Sequence, residues 1–85
     1  MIENKVLVSV NVPILENKYD IYFPVNRKMS NVIGMIKSSL YDLSQGIFDV
    51  NADYVLYNKE NGEAYDMNIL VRDSNIRNGS QVILL

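Results

Sequence analysis

The sequence of 85 residues contains neither cysteine nor histidine, and these two absences exclude most kinds of catalytic and metal site. Without cysteine there is no disulfide framework, no thiolate metal ligand and no cysteine-ligated iron–sulfur cluster. Nucleophilic catalysis usually joins a cysteine or serine to a histidine or an activated lysine, and this chain lacks the commonest of these partners. The composition therefore predicts a protein that is not an enzyme, has no catalytic residues and needs no cofactor.

The sequence also lacks an excess of basic residues and long apolar runs. Its formal net charge is −2 at pH 7, whereas binding to a phosphate backbone needs a concentrated basic face. No segment approaches the ~20 apolar residues of a membrane span, and no apolar signal-peptide region follows the first residues. We therefore expect a cytoplasmic protein that does not bind nucleic acid and does not insert directly into a membrane.

Residues of alternating character fill two early segments. In Val6–Val12 the valines occupy every even position, which indicates a strand with its even positions turned inward. A second alternating segment, Tyr19–Val25, follows the turn-prone residues 16–18, so the two segments should form an antiparallel hairpin. Pro24 has no N–H to donate to a ladder, which places the second strand at an edge of the sheet.

Apolar residues recur at helical spacing in the middle of the chain, namely Val32, Ile33, Ile36, Leu40 and Leu43. Ser30 or Asn31 can cap the start of this predicted helix, and Gly46 is expected to end it as the C′ residue. Polar residues lie on the opposite side of the helix. The helix should therefore cover one face of a sheet.

Turn signals divide the second half of the chain into short segments. A loop over residues 47–53 precedes a predicted strand, Tyr54–Tyr57, and Asn61-Gly62 turns the chain into a short segment over residues 64–66. Asn78-Gly79 precedes a last apolar strand, Val82–Leu85, which should lie centrally beside the first. The order predicts one domain over residues 1–85 of the α+β class, with one helix packed on one face of a mixed sheet of four to five strands. This is the β-grasp arrangement.

Short motifs in the second half of the chain resemble those of ubiquitin-like domains. The stretch Val71-x-Asp73-x-Asn75-Ile76, followed by Val82-x-Leu84, is similar to their leucine-x-aspartate-x-asparagine-isoleucine signature and final strand. More narrowly, the chain resembles the YukD/EsaB-type proteins, the small ubiquitin-like components of type VII secretion in Gram-positive bacteria. The motifs that carry this second resemblance are Ser39-Leu40, Ile47-Phe48-Asp49-Val50-Asn51 and the ending Ile83-Leu84-Leu85.

This resemblance implies a cytosolic accessory or regulatory component that binds another protein non-covalently. Its partner would be the cytosolic part of a secretion membrane component or one of the secreted substrates. Two alternatives stay open: a ubiquitin-like adaptor of an unrelated bacterial pathway, and a degenerate ubiquitin-like modifier. Conjugation requires a slim flexible tail ending in Gly-Gly, whereas this sequence ends at Leu85 within its last strand. We therefore expect a non-conjugating protein.

One loop imitates a calcium site. Asp49, Asn51 and Asp53, with Glu60 at the twelfth position, reproduce the oxygen-ligand spacing of an EF-hand. The sixth position, where the sharp turn requires glycine, is Tyr54, and the loop leads into a predicted strand instead of a helix. The sequence therefore predicts no metal site here.

The candidate binding surface is the face of the sheet that points away from the helix. Alternation along the strands turns a set of apolar side chains to that face, and these are the predicted partner-binding residues: Leu7, Tyr22, Val55, Tyr57, Ile83 and Leu85. We expect Val55 and Ile83 to touch across the ladder at the centre of the surface. A contiguous apolar patch over three neighbouring strands would serve a partner protein or a second copy of this chain.

Overall fold

A computed structural model describes residues 4–85 and shows a four-stranded mixed sheet with one long helix. The elements are β1 (Lys5–Val12), β2 (Asn17–Pro24), α1 (Met29–Leu43), β3 (Leu56–Asn58) and β4 (Gln81–Leu84). The strand order is β2-β1-β4-β3, with β1 and β4 parallel and the other two pairs antiparallel. The predicted α+β arrangement is confirmed, including the central position of the first and last strands. β2 lies at an edge, as Pro24 predicted.

The core lies between the sheet and α1. Val8, Val10 and Val12 are fully buried, so the even positions of β1 do point inward, while Val6 is partly buried at the start of the strand. Val82 and Leu84 of β4 are buried beside them. Each such side chain contributes about 1.5–3 kcal/mol by leaving water. The full set of buried apolar residues is Val8, Val10, Val12, Phe23, Met29, Val32, Ile33, Ile36, Leu40, Phe48, Leu56, Val71, Ile76, Val82 and Leu84.

The start of α1 differs from the prediction. The N-cap residue is Lys28, which makes no side-chain cap, and Ser30 and Asn31 lie inside the first turn. The first N–H groups of the helix are instead bound by a distant segment, since the Met29 N–H donates to the Ile69 carbonyl at 2.9 Å and the Ser30 N–H to the Met67 carbonyl at 3.1 Å. Backbone from elsewhere in the fold thus satisfies donors that usually need a capping side chain.

The end of α1 is a Schellman turn. The Gly46 N–H donates to the Tyr41 carbonyl at 2.8 Å and the Gln45 N–H to the Asp42 carbonyl at 3.2 Å. Gly46 was predicted at C′, but that position belongs to Gln45, which has a φ of 56°, and Gly46 follows it with a φ of 84°. The last helical residue, Leu43, was predicted to be buried and is 58% exposed. Helical spacing predicts the side of the helix on which the Leu43 side chain lies. Whether that side chain is buried depends on whether the sheet extends far enough to cover it.

The second half of the chain has less strand than predicted. β3 begins at Leu56, although Val55 already exchanges two backbone hydrogen bonds with Leu85, at 2.7 and 3.0 Å. The short strand expected over residues 64–66 is reduced to one bridge between Tyr57 and Ala64. Gly62 and Gly79 have φ values of 73° and 84°, so both Asn-Gly pairs do provide the left-handed residue of a turn.

Candidate functional site

The candidate site is the open face of the sheet, the side opposite the core. Because Val8, Val10, Val82, Leu84 and Leu56 are buried, strand alternation turns their sequence neighbours to this face. All six predicted partner-binding residues lie there: Leu7 on β1, Tyr22 on β2, Val55 before β3, Tyr57 on β3, Ile83 on β4 and Leu85 after β4. Leu7, Tyr22, Val55 and Leu85 are exposed, while Tyr57 and Ile83 are half-buried.

The register separates these six residues into two patches. Tyr57 lies directly opposite Ile83, and Val55 pairs with Leu85 at the same end of the sheet. We call these four residues the β3–β4 patch. Leu7 lies opposite Tyr22 at the other end of the sheet, and we call that pair the β1–β2 patch.

A belt of polar residues runs between the two patches. Ser9 of β1 lies opposite Asp20 of β2 on one side and opposite Gln81 of β4 on the other. The Lys59 ammonium group donates to the Gln81 side-chain oxygen at 3.2 Å. The polar belt therefore extends to Lys59, the residue that follows β3. The prediction of one contiguous apolar patch over three strands is therefore wrong. Alternation assigns a residue to a face, but its position along the sheet depends on the pairing register.

The β3–β4 patch is confined to two strands. In the row that contains Tyr57 and Ile83, the next residues are Asn11 on β1 and Lys18 on β2, both polar. Asn11 is four residues from Leu7 on β1, so the two patches are about 13 Å apart along the strands at roughly 3.3 Å per residue. A ligand covering the β3–β4 patch would need a second contact region to reach Leu7.

The predicted contact between Val55 and Ile83 is also corrected by the register. Ile83 has Tyr57 as its direct neighbour across the ladder, and Val55 has Leu85. Val55 and Ile83 are diagonal neighbours, which in antiparallel pairs lie roughly 7–8 Å apart at Cα. The centre of the patch is therefore the Tyr57–Ile83 pair, with the more exposed Val55 and Leu85, at 39% and 58%, on its outer side.

The β1–β2 patch carries a positive charge as well as apolar surface. The Lys5 Nζ atom lies over the Tyr22 ring, 4.7 Å from its centroid, in a cation–π arrangement. Tyr22 is 56% exposed, so the ring offers its remaining surface to solvent. This patch is smaller and more polar than the β3–β4 patch.

The loop that imitates an EF-hand is organised by other contacts. One Asp49 carboxylate oxygen accepts the Asn51 N–H at 2.9 Å, which forms a local turn. The Phe48 and Tyr54 rings stack with their centroids 4.7 Å apart, and Tyr54 is partly buried against the core. Within residues 4–85, no group of three or more acidic side chains comes close enough together to hold a metal ion.

A polar cleft that the sequence did not reveal lies beside the end of β3. It encloses about 380 Å³ and is lined by Asn58, Lys59, Glu60, Tyr65, Asn75, Gly79, Ser80 and Gln81. The Tyr65 hydroxyl accepts from the Asn58 side-chain amide at 3.1 Å and donates to the Asn75 side-chain oxygen at 2.9 Å. Nothing in the spacing of these three residues along the chain indicates that they meet.

The environment of this cleft affects the ionisation of Tyr65. Burial raises the pKa of the Tyr65 hydroxyl and the Glu60 carboxylate adds to that rise, while the hydrogen bond from Asn58 opposes it. The hydroxyl therefore stays protonated at neutral pH and acts as a hydrogen-bond donor, not as a base. Its two hydrogen bonds connect Asn58 at the end of β3 with Asn75 in the segment before β4.

Comparison with known sequences and structures defines the fold. No family model matches the chain, and no curated protein sequence matches it either. Over the part of the chain that the structure describes, the one helix is not long and apolar enough to cross a membrane.

The ubiquitin-like domain of the Mycobacterium tuberculosis type VII secretion system protein EccD1 matches with a TM-score of 0.75 and 14% identity, over 98% of this chain and 99% of that one. A chain of the MycP5-free ESX-5 inner membrane complex matches with a TM-score of 0.71 and 12% identity, and the 98% of this chain that aligns spans only 21% of that chain. A component of the toluene 4-monooxygenase HD complex matches with a TM-score of 0.74 and 9% identity, over 94% of this chain and 95% of that one. The protein has the ubiquitin-like β-grasp fold.

Proposed function

We propose that this protein is a single ubiquitin-like domain of the YukD/EsaB type that acts as a cytoplasmic accessory or regulatory component of a type VII secretion system. It binds another protein non-covalently. Two separate observations support this function: the Phe48-Asp49-Val50-Asn51 motif of the sequence, and the similarity of the fold to ubiquitin-like domains of type VII secretion components. The same fold occurs in proteins with unrelated roles, as the monooxygenase component illustrates. The fold alone therefore does not assign a function, and the proposal also depends on the residues at the surface of the sheet.

The observation that carries it is the β3–β4 patch. Four apolar side chains, Val55, Tyr57, Ile83 and Leu85, share one end of the open face, and α1 lies on the other side of the sheet. Exposed apolar side chains that stand singly are ordinary, whereas a cluster of this kind marks an interaction surface. Each side chain would contribute up to about 1.5–3 kcal/mol if a partner covered it completely.

The chemistry of the patch indicates a protein partner. Tyr57 provides a large ring with a hydroxyl at its tip, and Asn11 and Lys18 continue its row with polar groups. An apolar centre with a polar rim is the usual anatomy of a protein–protein interface. The partner we propose is the cytosolic part of a secretion membrane component or a secreted substrate, in line with the membrane complex that contains one of the structural matches.

Titration calorimetry of the purified protein against the cytosolic domains of the secretion membrane proteins, and against the secreted substrates, tests this function. Saturable binding that Ile83→Asp weakens at least tenfold, or about 1.4 kcal/mol, would support it. Leu7→Asp provides a matched control, because Leu7 is apolar and lies on the same face but belongs to the β1–β2 patch. If none of these domains or substrates binds, or if Ile83→Asp folds and binds normally, the proposal is wrong.

A further inference from the structure

β2 has one paired edge and one free edge. It is the outer strand of the sheet, and no other strand of residues 4–85 lies beyond it. β2 has eight residues, Asn17–Pro24, all of them paired with β1 on the inner side. A free edge of this length can pair with another extended chain unless its backbone groups are blocked.

The hydrogen-bond pattern shows which residues of β2 direct their backbone outward. The Val25 N–H donates to the Asn4 carbonyl at 2.8 Å, in line with the register of the ladder, so this pair is a hydrogen-bonded one. Such pairs alternate in an antiparallel ladder, so Phe23, Ile21 and Tyr19 also bind β1. The hydrogen bonds on the other side of β1 are consistent with this assignment. The N–H of the odd-numbered residue Ser9 donates to the Ser80 carbonyl, next to β4, so the even-numbered residues of β1 are the ones that bind β2. The backbone groups of Lys18, Asp20, Tyr22 and Pro24 therefore point to the free edge.

Both ends of this free edge are blocked. Pro24 has no N–H, and the Lys18 N–H already donates to the Asn17 side-chain oxygen at 2.9 Å. The Asp20 and Tyr22 N–H groups point away from β1, to the side of β2 on which no strand of the described residues lies. The part of the edge that remains available for pairing is therefore Asp20–Tyr22, which we call the open window. It is centred on Ile21, and Asp20 and Tyr22 each offer one backbone N–H and one carbonyl.

This window is complementary to itself in one register. A two-fold axis at Ile21 places Asp20 of one copy opposite Tyr22 of the other, and both pairs can exchange two backbone hydrogen bonds. An axis at Asp20 would place two carboxylates directly opposite each other, which is destabilising. An axis at Tyr22 would pair Asp20 with Pro24 and lose a donor. The arrangement of charges and donors therefore favours the register centred on Ile21.

We propose that a second copy of this chain pairs with β2 along its free edge, antiparallel and centred on Ile21. The half-buried Ile21 side chains then meet on the helix side of the sheet, and the two four-stranded sheets continue into one another. Both open faces point the same way. The row of Tyr57 and Ile83 meets β2 at Lys18, three residues from the axis. At about 4.8 Å per strand and 3.3 Å per residue, the two β3–β4 patches are therefore displaced by roughly 29 Å across the sheet and roughly 20 Å along it, so the dimer is a bivalent binding surface. This inference rests on β2 and is independent of the proposed partner.

Single cysteines provide a test that resolves the register, since the native chain has none. In the proposed dimer the two Ile21 residues form a non-hydrogen-bonded pair, whose Cα atoms lie roughly 4.5 Å apart, within the range of a disulfide. Under mild oxidation, Ile21→Cys should form a disulfide-linked dimer at least ten times faster than Asp20→Cys or Tyr22→Cys. Those two controls lie beside the axis, and their equivalents in the other copy are diagonal neighbours beyond easy disulfide reach.

A second substitution separates edge pairing from random collision. Adding Tyr22→Pro to Ile21→Cys removes an outward N–H without removing a bond to β1, so the domain should still fold and cross-linking should fall to the rate of the controls. The edge interface is smaller than the roughly 1,600 Å² of a standard complex, so sedimentation of the native protein should show a dimer only at high concentration. Equal cross-linking of all three cysteine variants, or a native protein that stays monomeric at the highest concentration, would overturn the proposal.

Discussion

Ile83 of β4 lies directly opposite Tyr57 of β3, on the face of the sheet that does not touch the helix. The two side chains form the half-buried centre of the β3–β4 patch, and Leu84, the next residue after Ile83, is buried in the core. On β4, a proposed partner-binding residue therefore lies directly next to a core residue. Substitutions along β4 and its neighbours can distinguish the two roles.

The first prediction compares stability on the two sides of the sheet. Leu84→Asp would bury an unpaired carboxylate and remove a core side chain, so it should lower the free energy of unfolding by more than about 4 kcal/mol. Val55→Asp changes a 39% exposed residue and should cost no more than about 1 kcal/mol. Urea denaturation of both variants measures the difference. Similar losses in the two variants would mean that the register is shifted by one residue.

The second prediction concerns which patch binds the partner. Tyr57→Asp and Ile83→Asp should each weaken partner binding at least tenfold, because they place a charge at the centre of the buried interface, a loss of about 1.4 kcal/mol or more. Leu7→Asp should leave affinity within about twofold, since Leu7 lies beyond the polar belt. Calorimetric titration of the three folded variants gives the affinities. The reverse order of effects would move the binding site to the β1–β2 patch.

The third prediction concerns Tyr65. Tyr65→Phe removes a hydroxyl that bonds Asn58 and Asn75 and should destabilise the protein by about 0.5–1.5 kcal/mol at neutral pH. Because burial raises the pKa of Tyr65 in the folded state, the folded protein holds this proton more tightly than the unfolded chain does. Stability from Tyr65 is thus fully present below the tyrosine's ordinary pKa of 10.0 and is lost as pH rises through the raised value.

Denaturation of the native protein and Tyr65→Phe at a series of alkaline pH values checks the sign. The difference in unfolding free energy between them should shrink as the pH rises above 10.0, the ordinary pKa. A difference that grows with pH would show that the folded state favours the phenolate. An NMR titration of the Tyr65 ring would give the pKa directly.

The fourth prediction uses two glycines of opposite character. Gly34 lies exposed within α1, and a Cβ added there meets no atom within 4 Å, so Gly34→Ala should stabilise the protein by about 0.5–1 kcal/mol. Gly46 has a φ of 84° in the turn that ends the helix, so Gly46→Ala should destabilise it by about 1 kcal/mol. Thermal melts of both variants measure the two shifts. A stabilising Gly46→Ala would contradict the Schellman geometry.

The sequence was sufficient wherever local chemistry dictates the outcome. The alternation of Val8, Val10 and Val12 predicted an inward row because side chains on a strand alternate by geometry, and all three are buried. Pro24 predicted an edge strand because it lacks a donor, and β2 is an edge strand. Gly62 and Gly79 predicted turns because glycine adopts positive φ without steric cost.

Tertiary structure decided whatever depends on how distant segments meet. The helix cap was mispredicted at Ser30 or Asn31 because the Ile69 carbonyl binds the Met29 N–H, a contact that no local pattern reveals. The opposition of Ile83 and Tyr57, and the polar belt around Ser9 that splits the open face, follow from strand register. Register is set by the packing of the whole sheet, because a strand's alternation specifies which face each side chain takes and leaves the offset between strands to the core beneath it.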